Sequence, residues 1–145
     1  MKGNTKHTML VVEDDPVELE LTMASLSKYE EINVSSASDG VDALSKLRNP
    51  ASAAGSIPVP EIILMDVQMP RLNGIETVRL LRAMPHTKLI PIVMFSNSDD
   101  PKDIEAAYSA GANGYLRKPS TAAGGTALFD SLVTFWMEHN IATAH

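Results

Sequence analysis

Short unbroken apolar runs alternate along this chain with longer stretches of helical period, and most of those runs stop on a polar residue. Met9–Val12 is the first run, and it ends in Glu13-Asp14-Asp15-Pro16. Four apolar residues closed by turn formers have the length of a strand buried on both faces. Pro16 then opens a helix at its first turn. That helix is predicted to reach about Tyr29, with two apolar stripes, Val17/Leu21/Ala24 and Leu19/Met23/Leu26. The pattern does not say which stripe faces a sheet.

Ile32–Ala37 is a weaker strand, closed by Ser38-Asp39-Gly40, and Val41, Ala43, Leu44 and Leu47 give helical spacing after it. Asn49–Pro60, with Pro50, Pro58 and Pro60 among small residues, reads as an exposed loop. The most concentrated pattern follows. Ile62-Ile63-Leu64-Met65 runs into Asp66, with Pro70 and Gly74 as loop formers beyond it. A helix is expected from about Ile75 to Met84, with Val78, Leu80 and Leu81 as apolar members and Pro85 as its stop. Ile90–Phe95 is a strand ending in Ser96, and Pro101–Ala110 is a helix closed by Gly111. Gly114–Arg117 is a short strand ending in Lys118-Pro119, and the final helix is predicted over Ala127–His139.

Strands and helices thus alternate with short connections, which implies right-handed βα units around a parallel sheet with helices on both faces. The expected fold class is α/β: a flavodoxin-like, doubly wound, five-stranded parallel sheet of order 2-1-3-4-5 with five helices. In such a sheet ligands bind outside the carboxyl ends of the strands, at the switch point between the first and third. Glu13, Asp14 and Asp66 meet there, and Ser96 and Lys118 reach the same edge from the fourth and fifth strands. One polar strand end means little. Four together point to chemistry.

At 145 residues the chain suits one domain, read here as 8–139, with a disordered tail over 1–7 and a short tail over 140–145. The absence of cysteine removes disulfides, thiolate catalysis and cysteine-bound zinc. A net charge of -6 argues against a nucleic-acid surface. No apolar run approaches a membrane span, so a soluble cytoplasmic protein without nucleic-acid or membrane partners is expected. The four histidines are scattered near ends and loops and are assigned no metal. Asp14 and Asp15 precede Pro16, so either one could cap the first helix; Asp15 is the better candidate for that role.

The chain resembles the receiver domains of response regulators, the phosphoacceptor half of two-component systems. The matching pieces are Val12-Glu13-Asp14, Met65-Asp66 with Met69-Pro70 and Gly74, Phe95-Ser96, and Tyr115-Leu116-Arg117-Lys118-Pro119. They stand in the family's order and spacing over residues 8–138. The Glu-Asp opening, the proline-containing insertion before Ile62 and the aromatic last helix are similar to the single-domain receivers that serve bacterial phytochromes.

The resemblance implies that Asp66 accepts a phosphoryl group from a sensor histidine kinase, for this sub-family a phytochrome. It implies a Mg²⁺ held by Asp14, Asp66 and the Gln68 backbone carbonyl, with Glu13 acting through water. Lys118 then pairs a phosphoryl oxygen as a point charge. Ser96 and Tyr115 are the switch: the hydroxyl moves to the phosphoryl group and the aromatic ring turns inward. The bond before Pro119 is cis in the family, an isomer that proline makes accessible. Ser96 stands where the family often has Thr. Asn97 stands where it prefers Ala or Gly, which narrows access to Asp66. Gln68 and Ser98 occupy positions that tune dephosphorylation. Such a protein is not an enzyme beyond its own phosphorylation and dephosphorylation.

After the last helix too few residues remain for an output domain of ~50 residues, so output is expected through a protein partner, a dimer or relay to a second histidine. In that helix Leu128, Leu132 and Phe135 share a narrow face suited to docking, with Phe129 and Trp136 beside it. Phe129 and Trp136 are therefore the expected interface of a homodimer or a partner complex. The rival readings are a Mg²⁺-dependent phosphohydrolase with an aspartyl-phosphate intermediate, and a receiver-fold adaptor that is never phosphorylated. The first needs a substrate cap, for which Asn49–Pro60 is too short and plain. The second leaves Asp66, Asp14 and Lys118 unexplained.

Overall fold

A computed structural model describes residues 7–47 and 57–141. The elements alternate as β1 (His7–Val12), α1 (Pro16–Leu26), β2 (Ile32–Ala37), α2 (Gly40–Leu47), β3 (Ile62–Met65), α3 (Gly74–Ala83), β4 (Ile92–Ser96), α4 (Pro101–Ala110), β5 (Gly114–Arg117) and α5 (Ala122–Val133). A π-helical stretch, Thr134–His139, continues α5. The five strands are all parallel in the order β2-β1-β3-β4-β5, the flavodoxin-like arrangement. Most of the Asn49–Pro60 loop lies outside the described residues, as does most of the N-terminal tail. His7, assigned to that tail, is instead the first residue of β1.

The apolar runs are continuous because both faces of the sheet are covered. Leu10, Val12, Ile63, Met65, Ile92 and Met94 point to one side, where Ala43, Leu47, Val78, Leu81 and Ala107 of α2, α3 and α4 meet them. Their neighbours Met9, Val11, Ile62, Leu64, Val93 and Phe95 point to the other, against Leu26 of α1 and Phe129, Leu132 and Val133 of α5. Each strand therefore splits its residues between two cores by its period of two.

Helix ends follow local chemistry. Asp15 caps α1, its Oδ1 accepting from the Val17 amide at 2.9 Å and the Glu18 amide at 3.3 Å. Asn73 and Glu76 form a reciprocal capping box at α3. Gly111 ends α4 with φ 119°, a left-handed conformation open to glycine.

One open alternative is resolved and several expectations are corrected. In α1 the stripe Leu19/Met23/Leu26 faces the sheet, while Val17 and Leu21 are 66% and 64% exposed. That helix stops at Leu26, short of Tyr29. Leu80 of α3 is exposed, because α3 needs only Ile75, Val78 and Leu81 to cover the core. The final helix starts five residues earlier than Ala127, with Thr121 Oγ1 capping at the Gly124 amide; Gly124 and Gly125 mask this start in the sequence.

The docking face of the final helix also differs. Phe129 is 3% exposed and meets Phe95 edge to face at 5.7 Å between ring centroids, so it is a core residue and not an interface. Phe135, placed on the docking face, is 52% exposed. The π-helical turn accounts for the last part of this: an i→i+5 pattern turns less per residue than 100°, so the helical wheel loses register after Val133. Finally, no cis peptide bond occurs among the described residues, so Lys118–Pro119 is trans. Trans is the lower-energy isomer, and the Lys118 amide donates to the Ser96 carbonyl at 2.8 Å, which already carries the lysine to the sheet edge.

Candidate functional site

The register of the sheet builds the site. Val12 pairs with Met65, so Glu13 and Asp66 leave the two central strands side by side. The Asp66 amide donates to the Val12 carbonyl and the Glu13 amide to the Ala37 carbonyl, both at 3.0 Å, so the ladder holds both residues. Asp66 and Glu13 are buried, and Asp14, one residue on, is exposed. These three residues each bring a carboxylate oxygen within 4.8 Å of the others.

The loop beyond β3 is fixed from below. The Gly74 amide donates to the Val67 carbonyl at 2.8 Å, and a Cβ on Gly74 would overlap the Asp66 carbonyl oxygen. Arg71 adopts φ 65°, unusual for a side-chain-bearing residue, and its Nε and Nη2 donate to Asp39 Oδ2 at 2.9 and 2.5 Å. Gln68 is an exposed residue of this loop.

Lys118 enters from β5, its side chain 7% exposed. Its Nζ lies 2.6 Å from Glu13 Oε1, 2.8 Å from Glu18 Oε1 and 3.6 Å from Asp66 Oδ2. Burial works against the ammonium charge, but hydrogen bonds to Glu13 and Glu18 outweigh it and hold the Lys118 pKa up at about 12. Burial, and then the neighbouring Glu13 charge, push Asp66 up to about 7. Asp66 Oδ1 accepts from the Val67 amide at 2.8 Å.

Four carboxylates, those of Glu13, Asp14, Glu18 and Asp66, stand against one ammonium and leave an excess of negative charge in a partly dry cleft. Every donor is a hard oxygen. Such a set suits a divalent cation of the Mg²⁺ or Mn²⁺ kind, and not zinc or copper, which favour nitrogen and sulfur. The residues present therefore fit the metal expected from the sequence.

Ser96 is 2% exposed at the end of β4, and its Oγ accepts from the Ser98 amide at 3.1 Å. The half-buried Tyr115 donates its hydroxyl proton to the Ser98 carbonyl at 2.8 Å. The sequence-predicted Glu13, Asp14, Asp66, Ser96 and Lys118 thus converge on one edge, and Tyr115 is joined to them through Ser98. Sequence reasoning missed Glu18. Its only signal was a carboxylate in the first turn of a helix that starts at that edge.

The family model for the response regulator receiver domain matches residues 9–128. The chain belongs to this family. As a receiver it is 36% identical over 112 residues to the alkaline phosphatase synthesis transcriptional regulatory protein SphR of Synechococcus elongatus, covering 77% of this chain and 42% of that one. The chain spans less than half the length of the curated relatives it first matches, 30% and 42% of two of them. Among solved receivers, the response regulator RPA3017 in red light signalling of R. palustris superposes with a TM-score of 0.84 at 32% identity, over 96% of this chain and 99% of that one. The Mn²⁺-bound form of the response regulator Rcp1 gives 0.83 at 26%, over 95% and 99%. Receiver domains work by phosphorylation-based signalling and bind a divalent metal in their acidic pocket. Among the described residues of this receiver, no helix is long and apolar enough to cross a membrane.

Proposed function

We propose that this receiver is a cytoplasmic response regulator whose Asp66 takes a phosphoryl group from the phosphohistidine of a sensor kinase. The observation that carries the reading is a buried carboxylate flanked by two others and a buried lysine on one sheet edge. In the transfer an Asp66 carboxylate oxygen forms a bond to phosphorus as the phosphorus–nitrogen bond breaks, and the electron pair leaves with the imidazole. Such transfers depend on positioning and charge more than on covalent help from the protein.

Asp14, Asp66 and the Gln68 carbonyl would hold Mg²⁺, with Glu13 acting through water. When bound, the ion would supply positive charge that offsets the clustered carboxylates and the oxygens of the transferring phosphoryl group. Lys118 meets a phosphoryl oxygen. The Gly74 contact and the Val67 amide keep the Asp66 carboxylate fixed. Ser96 donates its hydroxyl proton to the phosphoryl group, which frees the Ser98 amide and disturbs the carbonyl that holds Tyr115. The chain's own catalysis is confined to gaining and losing this group.

A phytochrome-type kinase is the partner we infer, supported by the 32% identity to the red-light regulator RPA3017 along nearly the whole of both chains. For output we assign a homodimer or partner interface to the end of the last helix. Phe135 is exposed there and packs edge to face on Trp136 at 5.0 Å. Light scattering with Mg²⁺ and beryllofluoride, on wild type and Trp136→Ala, tests the dimer; a monomer under all conditions overturns it.

Incubation with acetyl phosphate and Mg²⁺ followed by intact mass tests the main reading. One adduct of a single phosphoryl group is expected. Turnover of assorted phosphate esters would indicate a phosphohydrolase, and an unchanged mass would leave an adaptor.

A further inference from the structure

The three carboxylates around Lys118 are not equivalent. An ammonium has three donors. Two are directed to Glu13 at 2.6 Å and Glu18 at 2.8 Å, and the 3.6 Å to Asp66 exceeds a hydrogen bond. Glu13 and Asp66 belong with Asp14 to the group that can share a cation, and Glu18 lies outside it. Glu18 sits in the first turn of α1, its side chain 34% exposed, and among the described residues its carboxylate has no other hydrogen bond or ion pair. The pair also lines a cleft of about 470 Å³ between α1 and the start of α5, together with Leu21, Thr22, Phe95 and Pro119. Lys118 therefore gives its hydrogen bonds to Glu13 and Glu18, and Asp66 holds it only by charge at 3.6 Å.

We propose that Glu18 is a positioning residue that parks Lys118 and thereby slows phosphorylation of Asp66. The proposal rests on the reading of Asp66 as phosphoacceptor. A cation held by Asp14 and Asp66, with Glu13 behind a water, would weaken the hold of those carboxylates on the ammonium and leave the Glu18 pair untouched. Lys118 then favours Glu18 until a phosphoryl group brings new negative oxygens over Asp66. Its flexible four-carbon stem permits the swing. Every molecule in which Lys118 is parked lacks the charge that transfer needs, so Glu18 lowers the competent fraction.

The experiment compares wild type, Glu18→Gln, Glu18→Asp and Glu18→Gln combined with Lys118→Gln. Calorimetry measures Mg²⁺ alone and then beryllofluoride in saturating Mg²⁺, and intact mass follows labelling by acetyl phosphate. Glutamine keeps the size and polarity of this half-exposed position, so the fold is retained. In Glu18→Gln, beryllofluoride is expected to bind about three- to fivefold tighter and labelling to speed up by the same factor, the size of one partly exposed ion pair. Mg²⁺ affinity should stay within about twofold, because Glu18 is outside the cation group. Glu18→Asp, which keeps the charge, should fall closer to wild type. In the Lys118→Gln background the Glu18 effect should vanish. Unchanged or weaker beryllofluoride binding in Glu18→Gln, or a gain that persists without Lys118, overturns the proposal. If wild type is labelled and Glu18→Gln equals it, the parking role alone fails. If wild type takes neither label nor beryllofluoride, the phosphoacceptor reading fails and the parking role with it.

Discussion

Gly74 lies so close beneath Asp66 that a Cβ on it would overlap the Asp66 carbonyl oxygen. The first residue of α3 thereby sets the height of the carboxylate that ends β3. An alanine must push the backbone of one or the other away. Gly74→Ala is expected to destabilise the fold by about 2 kcal/mol, as overpacking does. It should also slow labelling of Asp66 by about tenfold or more, since small displacements of reacting groups are costly. Gly114→Ala is the control, because its Cβ would meet only Val93 methyl groups at 3.6 and 3.7 Å. Chemical denaturation and intact-mass kinetics read both; equal behaviour of the two variants contradicts the assignment.

Asp66 gives a pH dependence with a definite sign. Its pKa is raised from 3.8 to about 7, first by burial and then by Glu13. A folded value above the unfolded one contributes stability that is complete below pH 3.8 and is lost as pH rises through about 7. At pH 8 without divalent cations, Asp66→Asn should therefore be more stable than wild type by about 2 kcal/mol, or roughly 5 °C in Tm. The gap should close toward about pH 4. Saturating Mg²⁺ should raise the wild type toward the variant, because binding stabilises the state that binds. Scanning calorimetry across pH, with and without Mg²⁺, measures this; a wild type as stable as the variant at pH 8 without Mg²⁺ contradicts it.

Much of this was legible in the sequence because the strand ends carry both the fold and the chemistry. Ile62–Met65 with Asp66, and Gly114–Arg117 with Lys118, have in the structure the limits that their apolar runs predict. Glu18 was hidden because its partner is 100 residues away, and no local pattern pairs a first-turn glutamate with a lysine just past β5. The face of the last helix was misread because Gly124 and Gly125 obscured its start and a π-helical turn shifted its end. Burial of Phe129 against Phe95 is a contact between distant elements that a helical wheel does not contain.

Ser98 links Ser96 and Tyr115, the proposed switch pair, accepting from Tyr115 through its carbonyl and donating its amide to Ser96. Tyr115 ring signals in NMR should therefore shift when beryllofluoride and Mg²⁺ are added to wild type. The shift should be largely lost in Ser96→Ala, which has no hydroxyl to move. Tyr115→Phe should cost about 1 kcal/mol of stability, the worth of one hydrogen bond. A full Tyr115 response in Ser96→Ala would break the link.

Arg71 and Asp39 tie the loop after β3 to the start of α2. The Asp42 amide above all, with Arg71 assisting, holds the Asp39 carboxyl below its ordinary value. A lowered pKa contributes stability that is present above the unfolded value and lost as pH falls through the folded one. Arg71→Ala should therefore destabilise by about 1 kcal/mol at neutral pH, a figure kept small because the arginine is exposed, and by less in acid. Denaturant midpoints at pH 7 and pH 3 compare the two; an equal loss at both excludes the ion pair as the cause.

The role of Asp66 as phosphoryl acceptor can be read out directly. An acyl phosphate is cleaved by borohydride, which converts the aspartate side chain to an alcohol and can be located by peptide mass spectrometry. After acetyl phosphate and Mg²⁺, reduction is expected at Asp66 alone, and nowhere in Asp66→Asn. Reduction at another carboxylate, or undiminished labelling of Asp66→Asn, would contradict it.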